Sequence, residues 1–115
     1  MTGYDVIRRA FNLLGYLGDG QDPCTSDKTA ANAFGFINQL LSDLKCHSIS
    51  SLQDSLGISS AKEEALCYGV AMLFALTEGD GNKNRIFSEI YNAKRGIALA
   101  EISGVKDVLP KVTAG

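Results

Sequence analysis

Apolar residues recur along this chain at helical spacing, in four blocks separated by turn-forming segments. In the first block Val6, Ala10, Leu13 and Leu14 share one helical face, widened by Ile7 and Phe11. This predicts a helix from about Tyr4 to Leu14. Thr2, three residues before Asp5, offers a start resembling a capping box, and Gly15 offers a stop. Gly15 to Thr25 reads as a loop, because Gly18-Asp19-Gly20 and Asp22-Pro23 are turn chemistry. In the second block Ala30, Phe34, Ile37, Leu41 and Leu44 step by four, three, four and three. That is a narrow helical seam, widened by Ala33 and Leu40, and it starts near Ser26 or Asp27, both good N-caps. Asn32, Asn38, Gln39 and Asp43 lie off the seam.

Cys46 to Ser59 is rich in serine, with Ile49, Leu52 and Leu56 as spaced apolar positions. A short helical turn around Ser51 to Leu56 and a covered loop fit this stretch equally well. Ser60-Ala61-Lys62-Glu63 then matches the S-x-x-E capping box and opens a third helix running to about Glu78. From Ala65 onward that helix is apolar on nearly all faces, as a central, buried helix must be. Gly79-Asp80-Gly81 ends it. The fourth block places Ile86, Ile90, Ala93, Ile97 and Ala100 in one seam, with Phe87 and Tyr91 beside it. It predicts a helix from after Asn82 to about Ser103, stopped by Gly104. Beyond it, Val105, Val108, Leu109 and Val112 flank Pro110 without helical period and read as an extended apolar arm. The fold class expected is all-α: a compact bundle of about four main helices with short loops and antiparallel neighbours, plus an extended C-terminal arm. The division expected is a bundle domain over 1–104 and an arm over 105–115.

Composition adds bounds. With 115 residues, 45% hydrophobic and 21% charged, the chain suits one domain with a modest core, and disorder throughout is excluded. The formal net charge is −2. Residues 1–57 set Arg8, Arg9, Lys28 and Lys45 against six Asp, and residues 58–115 balance seven basic with seven acidic side chains. A global basic excess of the kind phosphate binding requires is absent. Cys24, Cys46 and Cys67 are odd in number, widely spaced and without a CxxC, which points to a reducing compartment. The longest apolar stretch, Ala65 to Leu76, is too short to span a membrane. No signal segment is expected, and synthesis in the cytosol is.

Candidate chemistry is sparse. His47 beside Cys46 could serve as a base or a metal ligand, but zinc needs three or four ligands and no second cluster lies nearby in sequence. Cys67 falls inside the apolar third helix, where burial makes a thiol inert. Gly15-x-x-Gly18-x-Gly20 follows a helix and lacks the lysine of a phosphate loop. Glu63 and Glu64 fit a helix N-terminus without invoking catalysis. Neither an enzyme nor a cofactor or metal site is expected. Arg85, Lys94 and Arg95 on the fourth helix are candidate contacts to DNA or to an acidic partner. They form no single stripe: Arg85 and Lys94 lie about 180° apart on the wheel, and Arg85 and Arg95 about 80°. Val105, Val108, Leu109 and Pro110 of the arm are candidate partner contacts too, on this domain or on a neighbour.

Taken in order, these segments resemble the small head–tail connector, or head-completion, proteins of tailed bacteriophages and prophages. The likeness rests on Ala10-Phe11-Asn12-Leu13-Leu14-Gly15 before a Gly-Asp-Pro loop, and on Ile37-Asn38-Gln39-Leu40-Leu41-Ser42-Asp43-Leu44 closing the second helix. It continues with the serine-rich link, Leu76-Thr77-Glu78-Gly79, and Asp107-Val108-Leu109-Pro110 after the last helix. The resemblance implies a structural role at the head–tail junction of the virion, after synthesis in the bacterial host cytoplasm. Copies would form a homo-oligomeric ring, about twelve in number, closed by heterologous contacts. The implied partners are the portal protein, the next tail-completion or stopper protein, and packaged DNA sliding through the lumen without sequence-specific binding. No membrane contact is implied. The alternative from the residues alone is a small helical binding module that regulates a nucleic acid or a protein. A small cysteine or metal enzyme is the third reading.

Overall fold

The computed structural model describes residues 1–15 and 27–100 in full, and 101–114 as backbone. The fold is all-α, with four helices among the described residues: α1 (Gly3–Leu14), α2 (Asp27–Asp43), α3 (Ser60–Thr77) and α4 (Gly81–Ala114). Among the described residues there is no strand, only an isolated antiparallel bridge between Thr2 and Ser55. The Gly18-Asp19-Gly20 turn, Cys24 and the Ser26 cap lie outside the described residues.

Helix ends follow local chemistry. The Thr2 hydroxyl accepts from the Asp5 N–H at 3.3 Å, and the Asp5 carboxylate accepts from the Thr2 N–H at 2.9 Å. Two free backbone groups are satisfied reciprocally. Gly15 ends α1 in the left-handed region, at φ 74°, where a Cβ would be strained. At α3 the cap is Ser59 and not the expected Ser60: Ser59 is extended and its hydroxyl accepts from the Lys62 N–H at 3.3 Å. Ser60 is already helical, so the reciprocal Ser60–Glu63 box does not form. Glu63 instead sits 3.7 Å from the Met1 ammonium. α4 starts at Gly81, earlier than expected, because the Asp80 carboxylate accepts from the Lys83 N–H at 3.0 Å.

α3 is the central element and touches the other three helices, α4 most extensively. Its buried residues run from Ala65, Leu66 and Cys67 through Val70 and Ala71 to Phe74 and Ala75. They meet Val6, Ile7 and Ala10 of α1 and Ile37, Leu40 and Leu41 of α2 in one continuous core. Phe74 receives Phe11 and Phe36 edge-on, with ring centroids 4.8 and 5.1 Å away. At Gly69 the backbones come close: a Cβ there would lie 2.9 Å from Leu40 and from the ring of Tyr91. Glycine lets α2, α3 and α4 converge at one level of the bundle.

The serine-rich link resolves as a covered loop. Ile49 and Leu52 are buried. The Asn38 side chain holds the link at both ends of one residue, donating to the Ile49 carbonyl at 3.2 Å and accepting from the Ile49 N–H at 2.8 Å. The chain start is tied to the same link. The Tyr4 N–H donates to the Leu52 carbonyl at 3.2 Å, and the Leu56 N–H to the Met1 carbonyl at 3.0 Å.

Two expectations for α4 change. Its buried face is not the seam of Ile86, Ile90, Ala93, Ile97 and Ala100 but the neighbouring one, with Phe87, Tyr91 and Ala98 in the core. Aromatic side chains carry more apolar area per position than isoleucine and alanine, and that face turns to α3. The segment expected as an extended arm continues the helical backbone to Ala114. Gly104 is the only residue between Glu101 and Leu109 that weakens a helix strongly, by about 1 kcal/mol against alanine. That is too little to enforce a stop. Pro110 forfeits its own N–H bond within this segment.

Candidate functional site

α4 carries two seams of the same period, the outer one wholly apolar and the inner one interrupted by Lys94. The inner one steps through Phe87, Tyr91, Lys94 and Ala98 and packs on α3. Phe87 lies beside Tyr68, with ring centroids 6.0 Å apart, and the Lys94 ammonium sits 5.7 Å over the Tyr68 ring. The outer seam is rotated by about 100°. It is the stripe read from the sequence; Ile90 packs against the edge of the core, and the other members face outward. Ile97 is 61% exposed while the adjacent Ala98 is 1% exposed. Ile86 is 39% exposed, Ala93 and Ala100 are exposed, and Ile90 is half-buried. Leu76, at 62%, is the most exposed large apolar residue of α3. Single exposed apolar side chains are ordinary, but an ordered stripe of them on one helix face is the signature of a covered surface.

The basic candidates do not converge. Arg95 crosses to α2, its Nε donating to Asp43 at 2.7 Å. Tyr91 joins them: its hydroxyl donates to the same Asp43 oxygen at 2.6 Å. The Tyr91 hydrogen bond first, and then Arg95, hold the Asp43 carboxyl below its ordinary range against the opposing effect of burial. Burial, reinforced by the bond to Asp43, pushes the Tyr91 phenol up. Arg85 is spent locally, on Asn82 at 3.1 Å and Glu89 at 3.8 Å. Lys94 is spent on Tyr68. Lys83, just upstream, donates to the Leu14 carbonyl at 2.7 Å and so satisfies an open end of α1. Val105, Val108, Leu109 and Pro110 lie on the last turns of α4, where their side chains are outside the described residues.

The Asp43–Tyr91–Arg95 cluster is the polar group that sequence reading missed. Asp43 and the two α4 residues are about fifty positions apart, and only the α2–α4 crossing joins them. The cluster borders a recess of about 480 Å³ between Gln39, Ser42, Lys45 and Met72. Through Tyr91 and Arg95 the cluster ties α4 to the end of α2.

The remaining candidates separate. Cys67 is fully buried and its thiol is pushed up to about 12 by desolvation, far from a reactive thiolate. Cys46 is half-buried and gives its S–H to the Leu44 carbonyl at 3.5 Å. His47 is exposed beside it. Among the described residues no group of three His, Cys, Asp or Glu side chains is placed to hold a metal ion. Glu64 pairs with Arg9 at 2.8 Å, so the two glutamates join α3 to α1 and to the chain start as well as flanking a helix N-terminus. Among the described residues no helix is long and apolar enough to cross a membrane. The chain matches no protein-family profile, no curated protein and no solved structure.

Proposed function

We propose that this chain is a structural subunit of a tailed-phage head–tail connector. In this reading, copies close into a ring beneath the portal, extend the DNA channel and present a docking surface to the next tail-completion or stopper protein. The observation that supports an assembly role is the outward part of the outer stripe of α4, Ile86, Ala93, Ile97 and Ala100, which the bundle leaves exposed. The ordered likeness of the helices, link and Asp107-Val108-Leu109-Pro110 segment to connector proteins supplies the particular assembly. The balanced charge suits a channel in which DNA slides, since each strong phosphate contact would add affinity.

The experiment is native mass spectrometry of the chain mixed with the portal protein of the same genome. The expected result is a portal carrying a ring of many copies. A chain that leaves the portal bare sinks the reading. The alternative, a nucleic-acid-binding module, gains no support from Arg85, Lys94 and Arg95, which point apart and are engaged within the fold.

A further inference from the structure

We infer that the outer stripe of α4 is the seam through which the chain pairs with a second copy of itself, the two α4 helices lying parallel and in register. Two observations carry this, and a third sets its strength. The first is spacing. Ile86, Ile90, Ala93, Ile97 and Ala100 step by four, three, four and three, the interval at which the side chains of two helices interlock. The inner seam of the same helix, at the same interval, is filled by α3. The outer seam lies about 100° further round, where a bundle would place its next helix. The occupant is therefore a helix.

The second observation is charge. Glu89 borders the stripe on one side and Lys94 on the other, five residues later. In a parallel pair, that offset sets Glu89 of each copy against Lys94 of the other. By two-fold symmetry the ion pair forms twice. An antiparallel pair that kept all five seam residues in contact would set Lys94 against Lys94 instead. Pairing requires both side chains to exchange a present contact for the new one. Glu89 lies 3.8 Å from the exposed Arg85, a weak surface pair, and Lys94 lies over the face of Tyr68. Complementary flanking charges select the chain's own α4 as the occupant.

The third observation is size. The seam is about 21 Å long. Alone it covers much less than the roughly 800 Å² per partner of a standard interface. The pair is consequently weak and depends on concentration. It is also isologous and closes at two copies, so it cannot persist inside a polar ring. It is the state of the free chain, and it parts before a ring forms. The pairing does not rest on the connector reading.

Sedimentation equilibrium of the full chain, from micromolar to about 1 mM, tests it. The expected result is a mass rising from 12.3 kDa toward double that value. Ile97→Asp, at an exposed position, should abolish the rise with an unchanged helical circular dichroism spectrum. Glu89→Lys should weaken pairing by about fivefold, and adding Lys94→Glu to it should restore pairing. A monomer at every concentration overturns the inference, as does pairing indifferent to Ile97→Asp. Failure of the double variant to recover overturns the parallel register. A ring of many copies at high concentration overturns the two-fold pair and favours the connector reading. Pairing by a chain that ignores the portal does the reverse.

Discussion

The two seams of α4 share one period and face different surroundings. Phe87, Tyr91 and Ala98 are sealed against α3, while Ile86, Ala93 and Ile97 look outward. Period alone ranks the outer seam first, because its five positions are all aliphatic. The bundle chooses the inner one, because two aromatic rings bury more area and the Tyr91 hydroxyl finds Asp43 at 2.6 Å. An amphipathic stripe thus marks a surface to be covered without saying by which chain.

The largest effect that separates the seams is truncation. Phe87→Ala should cost about 3 kcal/mol of stability in urea denaturation. Ile97→Ala should stay within about 0.5 kcal/mol in the dilute monomer. Similar losses from the two would mean that α4 is rotated from the position described. A sharper test uses two glycines of opposite surroundings. Gly69→Ala must fit a Cβ 2.9 Å from Leu40 and Tyr91, whereas Gly96 has nothing within 4 Å of the same atom. Gly69→Ala should destabilise by about 1–2 kcal/mol through overpacking, and Gly96→Ala should stabilise by about 0.5–1 kcal/mol through helix propensity. Matching signs from the two melting curves would remove the close crossing at Gly69.

The smallest effect concerns pH. The Asp43 carboxyl titrates lower in the fold than in the unfolded chain, through Tyr91 first and Arg95 after it. Its contribution is complete above the unfolded carboxyl range near ~3.9, and it is lost as pH falls through the lower folded value. The side chain is 44% exposed, so solvent screening keeps that contribution under about 1 kcal/mol. The stability gap between the chain and its Asp43→Asn variant should therefore narrow between pH 6 and pH 3. A gap that stays constant would assign Asp43 a role other than charge.

Most of the architecture was legible in local signals. The Thr2–Asp5 box, the Gly15 stop and the all-round apolar α3 each state their own reason for forming. What was not legible depends on distant partners. Asn38 lay off the helix seam and looked like surface, yet its amide is what orders the link, through Ile49. Lys83 carries no local signal for its role, yet it closes the end of α1 from 69 positions away. Ser59 and Ser60 are chemically identical caps, and only the backbone geometry of the turn decides between them. The end of α4 differs from the local signals: the helical backbone runs on through Gly104 and Pro110, although both residues disfavour a helix. Of the candidate site, the outer stripe is legible from its spacing, but spacing alone does not say which seam the core takes. The Asp43–Tyr91–Arg95 cluster had no local signature at all.

The bonds between the chain start and the link also constrain the order of folding. The carbonyl of Met1 and the N–H of Tyr4 find their partners on Leu56 and Leu52, some fifty residues downstream. Closing a loop of that size costs only about 0.6 kcal/mol more than closing one half as long. The delay it imposes is one of sequence, not of energy. As the polypeptide leaves the ribosome, the first helix emerges with its start unanchored and its apolar face uncovered. Its start gains these two bonds only once the link has followed it out.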